Sequence, residues 1–290
     1  MGNDKIKKLQ FSDVKEIYQK ILDIYPFLTN DEKKLFESRS KKLVTNEKIF
    51  SKNKIIFLNK LLKYLKNPHA IVVIQKNKSK KISARLFQKH TITDEILYII
   101  IYTWSAKNKE EVIKRGQELI DLCINNRDKY SSIIFDVRGN DGGSSIGATN
   151  LSSIFFNKDL VSGYLYRRED GKLVKKPRTL KHDAKHYIDV PIIILIDENC
   201  FSSTELFISP FKISKRAILV GKTTKGGSAN PLAFPFMVGM KKIIVKIPTW
   251  RLFLKGEKKP LEESKIKPDI IYRKSDIVEY AKLLLKNKRS

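Results

Sequence analysis

Short apolar runs separated by helical patterns constrain the fold of this chain more than any other feature. Four such runs are ILYIIIYTW (96–104), SSIIFDV (131–137), PIIILI (191–196) and AILVG (217–221). They are too apolar for a sheet with one solvated face and are typical of strands buried on both sides. The intervening segments KEEVIKRGQELIDLCINN and STELFISPFKI have the apolar spacing of helices. This alternation predicts right-handed crossovers, and so an α/β fold with a mostly parallel sheet.

The first part of the chain has a different pattern. DVKEIYQKILDIYPFL, DEKKLFESRSKKLV and KIIFLNKLLKYLK each carry apolar residues at i, i+3, i+4 spacing, which predicts a small bundle of amphipathic helices with basic outer faces. After this region IVVIQ predicts a first strand, and the charged KNKSKK a turn. We therefore predict two domains, a helical bundle over residues 1–66 and an α/β core over residues 67–290. Within the core we expect a strand pair between Pro231 and Trp250, and a C-terminal helix capped by Ser275.

Charge is the most unusual feature of the composition. Lys and Arg number 58 against 31 Asp and Glu, for a net charge of +27. The basic residues are spread along the chain without an Arg–aromatic cluster or a recognised nucleic-acid motif, so we interpret them as a lysine-rich surface rather than a polyanion-binding site.

The chain carries no obvious export or membrane signal. No apolar run approaches the length of a membrane span, and MGNDKIKKLQFSDV lacks the apolar segment of a signal peptide. We therefore expect a cytoplasmic protein, or an exported one if a leader has been removed. The two cysteines, Cys123 and Cys200, make no disulfide framework.

The stretch NCFSSTELF (199–207) offers two interpretations of Ser202. Ser-x-x-Glu before an apolar periodic run is a capping box, in which Ser202 and Glu205 bond to each other's backbone N–H. Alternatively, a Ser between a strand and a helix start can be a nucleophile, with the N–H of Ser203 as an oxyanion donor. Cys200 is a competing nucleophile, although we expect a buried structural thiol there.

A glycine-rich turn, RGNDGG (138–143), follows the second buried run. It is neither a P-loop nor a G-x-G-x-x-G motif, so no nucleotide cofactor is predicted. Gly142 and Gly143 can direct backbone N–H groups at an oxyanion. Because ligands of open α/β sheets sit beyond the carboxyl ends of the strands, we expect this turn on the same side as the Ser202 turn.

The histidines supply the candidate bases. His69 lies between a helix end and a strand, a rigid placement that could orient an imidazole, whereas His90 is expected in an exposed turn. His182 and His186 have the i, i+4 spacing of metal ligands, but no third ligand stands nearby, so no metal is predicted.

Four ordered motifs resemble peptidase family S41, which includes the C-terminal processing proteases, the tricorn core protease and the repeats of interphotoreceptor retinoid-binding protein. The motifs are SSIIFDVRGNDGG, PIIILIDENCFSSTELF, RAILVGKTTKGGSANP and EESKIKPDI, and with LLKYLKNPHAIVV the resemblance covers about residues 60–273. It implies a crotonase/Clp-type α/β core preceded by a helical bundle. It also places Ser202 at the nucleophile, and Ser203 with Gly142 and Gly143 at the oxyanion hole.

The resemblance implies a different general base in each branch of the family. In the processing proteases it is a Lys, at the position that Gly227 occupies here, and Lys225 stands two residues early. In the tricorn-like branch it is a His, which points to His69, with Glu262 helping to hold the His–Ser arrangement. That branch also has a Ser where this chain has Pro68.

The implied function is a cofactor-independent serine endopeptidase acting on polypeptides. Only residues 71–93 separate the helical region from the core, which is too short for the PDZ domain of many processing proteases, so capture of substrate tails through such a domain is not expected. The alternative is a non-catalytic ligand- or peptide-binding protein on the same scaffold, as in the retinoid-binding relatives.

Overall fold

The computed structural model describes residues 6–75, 87–227 and 229–287. The helices are α1 (Phe11–Ile24), α2 (Asn30–Val44), α3 (Glu47–Lys52), α4 (Lys54–Lys63), α5 (Lys109–Asn125), α6 (Ser145–Ser153), α7 (Ser203–Ser214), α8 (Leu261–Ser264) and α9 (Ile277–Lys286). The strands are β1 (Ile71–Gln75), β2 (Gln88–Thr93), β3 (Ile96–Ile101), β4 (Ser132–Asp136), β5 (Leu160–Glu169), β6 (Lys172–Leu180), β7 (Ile192–Ile196), β8 (Ile218–Gly221), β9 (Leu232–Val238), β10 (Lys241–Ile247), β11 (Trp250–Leu254) and β12 (Ile270–Ile271). No helix in these ranges combines the length and apolar character needed to cross a membrane.

The four buried runs form the centre of one sheet. Its strand order is β12-β8-β7-β4-β3-β2, and every pairing is parallel except that of β2 with β3. All residues of β4 and β7 are buried, because helices cover both faces of a parallel sheet. The predicted α/β fold with a mostly parallel sheet, preceded by helices, is confirmed.

An aromatic cluster fixes α7 in place. Phe207, buried within this helix, lies 5.4 Å from Trp104 and 5.3 Å from Phe135, measured between ring centroids. Phe211, one turn further on, lies 5.8 Å from Phe155. Such tilted and edge-to-face contacts stabilise beyond simple burial, so the first turn of α7 is held against the ends of β3 and β4.

The chain divides into two compact units. The first contains residues 1–81, 165–176 and 229–252, and the second contains residues 82–164, 177–228 and 253–290. In the first unit α1, α2, α3 and α4 share a hydrophobic core with a sheet of order β1-β10-β9. The predicted strand pair is confirmed as β9 and β10. The second unit holds the parallel sheet. The predicted domain boundary at residues 66 and 67 stays a prediction.

Two details of the sequence analysis are wrong. His90 lies in β2 rather than in a turn; the strand is polar because it is an edge strand with exposed faces. The residue preceding α9 is Asp276, not Ser275, and its carboxylate accepts a hydrogen bond from the Tyr272 hydroxyl at 2.7 Å. The KNKSKK segment (76–81) lies outside the described residues.

Candidate active site

Ser202 has an unusual backbone. It stands between β7 and α7 with φ +59° and ψ −118°, whereas a residue that only caps a helix ordinarily has an extended conformation. A non-glycine residue in this region is strained, and such strain is typical of functional sites. The conformation is the kind expected of a nucleophile at a sharp strand-to-helix turn.

A buried carboxyl group anchors that backbone. Glu205, which has no solvent exposure, accepts the N–H of Ser202 through Oε2 at 3.1 Å. Its Oε1 accepts the Thr224 hydroxyl at 2.5 Å and the N–H of Gly226 at 3.1 Å. Burial raises the pKa of Glu205 to about 8, although these hydrogen bonds oppose the shift. The predicted capping box, in which Ser202 and Glu205 accept each other's backbone N–H, is thus present, and Glu205 also reaches the turn after β8.

The glycine turn after β4 approaches the Ser202 turn closely. A Cβ placed on Gly142, whose φ is +97°, would lie 2.9 Å from the Cβ of Ser202 and 3.1 Å from the nitrogen of Ser203. The Ser203 hydroxyl donates to the carbonyl oxygen of Gly143 at 2.7 Å. Only glycine fits here, because any side chain would meet the backbone of the Ser202 turn. The structure therefore brings Ser202, Ser203, Gly142 and Gly143 together.

The two glycine amides are not equivalent. The N–H of Gly142 donates to Oδ1 of Asn140 at 3.0 Å. Across the described residues, no acceptor takes the N–H of Gly143 or of Ser203. The predicted oxyanion role of Gly142 therefore conflicts with an existing hydrogen bond. The N–H groups of Gly143 and Ser203 can still donate to a substrate oxygen.

Cys200 and Lys225 lie near the Ser202 turn, and their side chains make other contacts. Cys200 is fully buried, its thiol donates to the carbonyl oxygen of Val137 at 3.1 Å, and burial raises its pKa well above the ordinary value. The expected buried structural thiol is confirmed. Lys225 is exposed, and its Nζ lies 4.8 Å from the ring centroid of Phe201.

The position of the family Lys is unsuited to that residue. Gly227 has φ +155° and Gly226 has φ +86°. A Cβ on Gly226 would lie 2.7 Å from the carbonyl oxygen of Leu261, the first residue of α8. Because L-residues with a side chain rarely adopt such φ values, this turn is built for glycine.

The remaining candidates lie in different units. Glu262 belongs to α8 in the second unit, and the segment just after α8 is tied to the Glu205 network because the N–H of Ile266 donates to the Thr224 hydroxyl at 2.9 Å. His69 belongs to the first unit, is 9% exposed, and donates its backbone N–H to Oδ1 of Asn67 at 3.0 Å.

His182 and His186 each pair with an acidic side chain near the protein surface. His182 contacts Asp159 through Nδ1 at 2.8 Å, and His186 lies 3.4 Å from Asp183. In the described ranges, no three His, Cys, Asp or Glu side chains are grouped so as to hold a metal ion.

Comparison with known proteins identifies the family. The model of Peptidase family S41 matches residues 95–272. Over 100 residues the chain is 30% identical to a protein of Staphylococcus haemolyticus named "Probable CtpA-like serine protease", with 34% of this chain and 20% of that protein covered. Over 161 residues it is 25% identical to a carboxyl-terminal-processing protease of Picosynechococcus, with 54% and 35% covered. The chain belongs to peptidase family S41, and it spans about a third or less of the length of these two relatives.

Solved structures agree on the fold. A lipoprotein from Streptococcus agalactiae is similar over 98% of this chain and 99% of its own, with a TM-score of 0.70 and 19% identity. Mature CPAF is similar over 66% of this chain and 50% of its own, with a TM-score of 0.55 and 15% identity. At such identities the similarity concerns architecture alone, and in the lipoprotein it extends over nearly the whole chain.

Proposed function

We propose that this chain is a serine endopeptidase with Ser202 as its nucleophile. The observation that carries the proposal is the strained backbone of Ser202 beside the glycine turn. A residue that merely begins a helix has no need of this conformation, whereas a nucleophile gains exposure of its hydroxyl and proximity to amide donors. Membership of family S41 supports the same reaction class.

The reaction begins with attack of the Ser202 oxygen on the carbonyl carbon of a peptide bond. His69 takes the hydroxyl proton as the new C–O bond forms, and the carbonyl oxygen becomes an oxyanion. The N–H groups of Ser203 and Gly143 stabilise that charge. Collapse of the intermediate breaks the C–N bond, and His69 returns the proton to the leaving amine. Water then repeats the sequence on the acyl-enzyme and releases the acid.

The choice of His69 rests on the sequence motif and on the unsuitability of position 227. The turn at Gly227 favours glycine, so a Ser/Lys dyad of the processing-protease type is not expected. Glu262 is proposed to help hold the His–Ser arrangement. The proposed substrate class is unstructured polypeptide, because an extended chain exposes its peptide bonds to a nucleophile.

The test compares cleavage of an unstructured polypeptide by the wild type with that by Ser202→Ala and His69→Ala. We expect Ser202→Ala to abolish cleavage and His69→Ala to lower kcat/KM by about 10²–10⁴-fold, the usual contribution of a general base. His90→Ala is the matched control, since His90 is exposed in β2 and outside the proposed machinery. Equal cleavage by the wild type and Ser202→Ala would refute the proposal.

A second candidate is a non-catalytic peptide-binding protein on the same scaffold, which the glycine at position 227 favours. Labelling by a fluorophosphonate separates the two, because an unactivated hydroxyl does not react. A wild type that binds polypeptide but is neither labelled nor able to cleave it would establish the binding function instead.

A further inference from the structure

Asn140, in the loop after β4, is fully buried and uses both ends of its side chain. Its Nδ2 donates to the carbonyl oxygen of Ile101, the last residue of β3, at 2.9 Å. Its Oδ1 accepts the N–H of Gly142 at 3.0 Å, and its own carbonyl accepts the N–H of Phe201 at 3.1 Å. One residue thus joins the end of β3, the glycine turn and the residue immediately before Ser202.

The neighbouring backbone determines what Gly143 can offer. The N–H of Trp104 donates to Gly142 and the N–H of Ser144 donates to Trp104, both at 3.0 Å, which makes a short parallel bridge between Trp104 and Gly143. In such a bridge the N–H and C=O of the central residue face away from the partner strand. The carbonyl of Gly143 does so, since it accepts the Ser203 hydroxyl at 2.7 Å. The N–H of Gly143 is not used by this bridge, and no other acceptor in the described residues takes it.

We propose that Asn140 is the positioning residue of the oxyanion hole. By occupying the N–H of Gly142 and fixing that peptide, it selects Gly143, together with Ser203, as the amide pair that meets the substrate oxygen. The inference rests on the proposed peptidase function and adds to it the residue that sets the geometry of the hole. Because the oxyanion forms only in the tetrahedral intermediate and the transition states beside it, and not in the bound substrate, misplacing the hole lowers kcat and leaves KM little changed.

The chemistry of the side chain explains why it is an amide. The site needs one donor, toward the Ile101 carbonyl, and one acceptor, for the Gly142 N–H, at fixed distances. The change Asn140→Asp keeps the acceptor but places a carboxylate oxygen against that carbonyl. The change Asn140→Ala leaves both backbone groups unpaired in a buried place.

The experiment measures kcat and KM of the full chain on an unstructured polypeptide for the wild type, Asn140→Ala and Asn140→Asp. The matched controls are Asn126→Ala and Asn126→Asp, because Asn126 also donates to a backbone carbonyl, that of Leu122 at 3.0 Å, but at the end of α5. We expect both Asn140 variants to lose about 10–100-fold in kcat, somewhat less than deletion of an oxyanion donor, with KM within about threefold of the wild type. The Asn126 variants should keep wild-type values.

To separate a loss of catalysis from a loss of folded protein, kcat is calculated per active site. The active sites are counted as the Ser202 labelled by a fluorophosphonate once labelling is complete. Wild-type kcat in both Asn140 variants, or a rise in KM at unchanged kcat, would overturn the positioning role alone. A wild type that neither cleaves nor is labelled would overturn the peptidase proposal and this inference with it.

Discussion

The φ of +59° at Ser202 could not be read from the sequence. The motif Ser-x-x-Glu predicts a capping box, and a capping residue is ordinarily extended. The strained value is held by the glycine turn, about 60 residues earlier, and by Glu205, whose own position is fixed by the distant Thr224 and Gly226. Ser202 itself, as a candidate, was accessible from the sequence, whereas its backbone conformation was not.

Strain at this residue has a measurable cost. Ser202→Gly and Ser202→Ala both remove the hydroxyl, but only glycine adopts a positive φ without penalty. We expect Ser202→Gly to be more stable than Ser202→Ala by about 1 kcal/mol, the low end of the cost of such a backbone. Chemical denaturation of the two variants at one pH measures the difference. If Ser202→Ala is equally stable, the strain assigned here is absent.

Glu205 makes the stability of the fold depend on pH. Its pKa is raised by burial from an ordinary 4.5 to about 8, so the folded state holds a proton that the unfolded state releases. The stabilisation from that proton is fully present below pH 4.5 and is lost as pH rises through 8.

We therefore expect Glu205→Gln, which mimics the protonated carboxyl, to flatten the decline in the free energy of unfolding between about pH 5 and pH 9. Denaturant titrations of wild type and variant across this range test it, and Glu279→Gln, at an exposed residue of α9, is the control. An identical pH profile for wild type and Glu205→Gln would contradict the shift.

At the scale of elements, α7 contains a proline and compensates for it. Pro210 has no N–H to donate to the carbonyl of Leu206, four residues earlier. Two side chains take its place: the Ser209 hydroxyl donates at 3.2 Å and Nη2 of Arg178 at 3.4 Å. Arg178 reaches this carbonyl from β6. An interior proline is thus accommodated in the helix that carries the candidate nucleophile at its start.

Removing the Arg178 side chain should leave the Leu206 carbonyl with one side-chain donor fewer. We expect Arg178→Met to destabilise the fold by about 1–3 kcal/mol, the cost of a poorly satisfied buried carbonyl. In a Pro210→Ala background the cost should be smaller, because the alanine can donate its own N–H to that carbonyl. A double-mutant cycle by thermal unfolding measures this coupling; additive effects of the two changes would contradict the compensation.

The elements that the sequence predicts well are those whose burial is uniform. The apolar runs of β4 and β7 and the periodic face of α5 follow directly from their residues. The hairpin of β5 and β6 was missed because most of its residues are half-buried and its basic residues interrupt any regular alternation of apolar and polar positions. A signal was available: Asp170-Gly171 has φ values of +47° and +75°, and Asp-Gly is typical of hairpin turns with two positive φ values.

For the candidate site, topology was predictable and hydrogen bonding was not. Parallel strands place their carboxyl ends together, so the meeting of the Ser202 turn with the glycine turn follows from β4 and β7 being adjacent. Asn140 was not predicted as a site residue, because a polar residue in a loop is ordinarily expected to be exposed, whereas the structure shows Asn140 fully buried. Its position between two glycines was the available hint, since such a turn needs its backbone fixed by a neighbour.

At the scale of the whole molecule, charge dominates. With 58 basic and 31 acidic residues, the folded chain repels itself, and unfolding relieves part of that repulsion. The lysine-rich surface inferred from the sequence therefore has a thermodynamic consequence, and it is one that screening by salt can reduce.

We expect the melting temperature to rise by roughly 2–4 °C between about 10 and 200 mM NaCl, the shift that about 1 kcal/mol produces in a protein of this size. Differential scanning calorimetry measures it, and sucrose at equal osmolality controls for effects other than screening. A melting temperature that is flat or falls with salt would show that ion pairs outweigh the repulsion.

The pairing of β1 with β10 has a consequence for biosynthesis. Val72 pairs with Val245, so the strand that completes this sheet leaves the ribosome about 170 residues after the helices that precede it. At a synthesis rate of about 5–20 residues per second, the apolar faces of α1, α2 and α4 remain without their covering strands for roughly 10–35 s. During that interval the exposed apolar faces are prone to aggregation, as transiently exposed hydrophobic surface generally is.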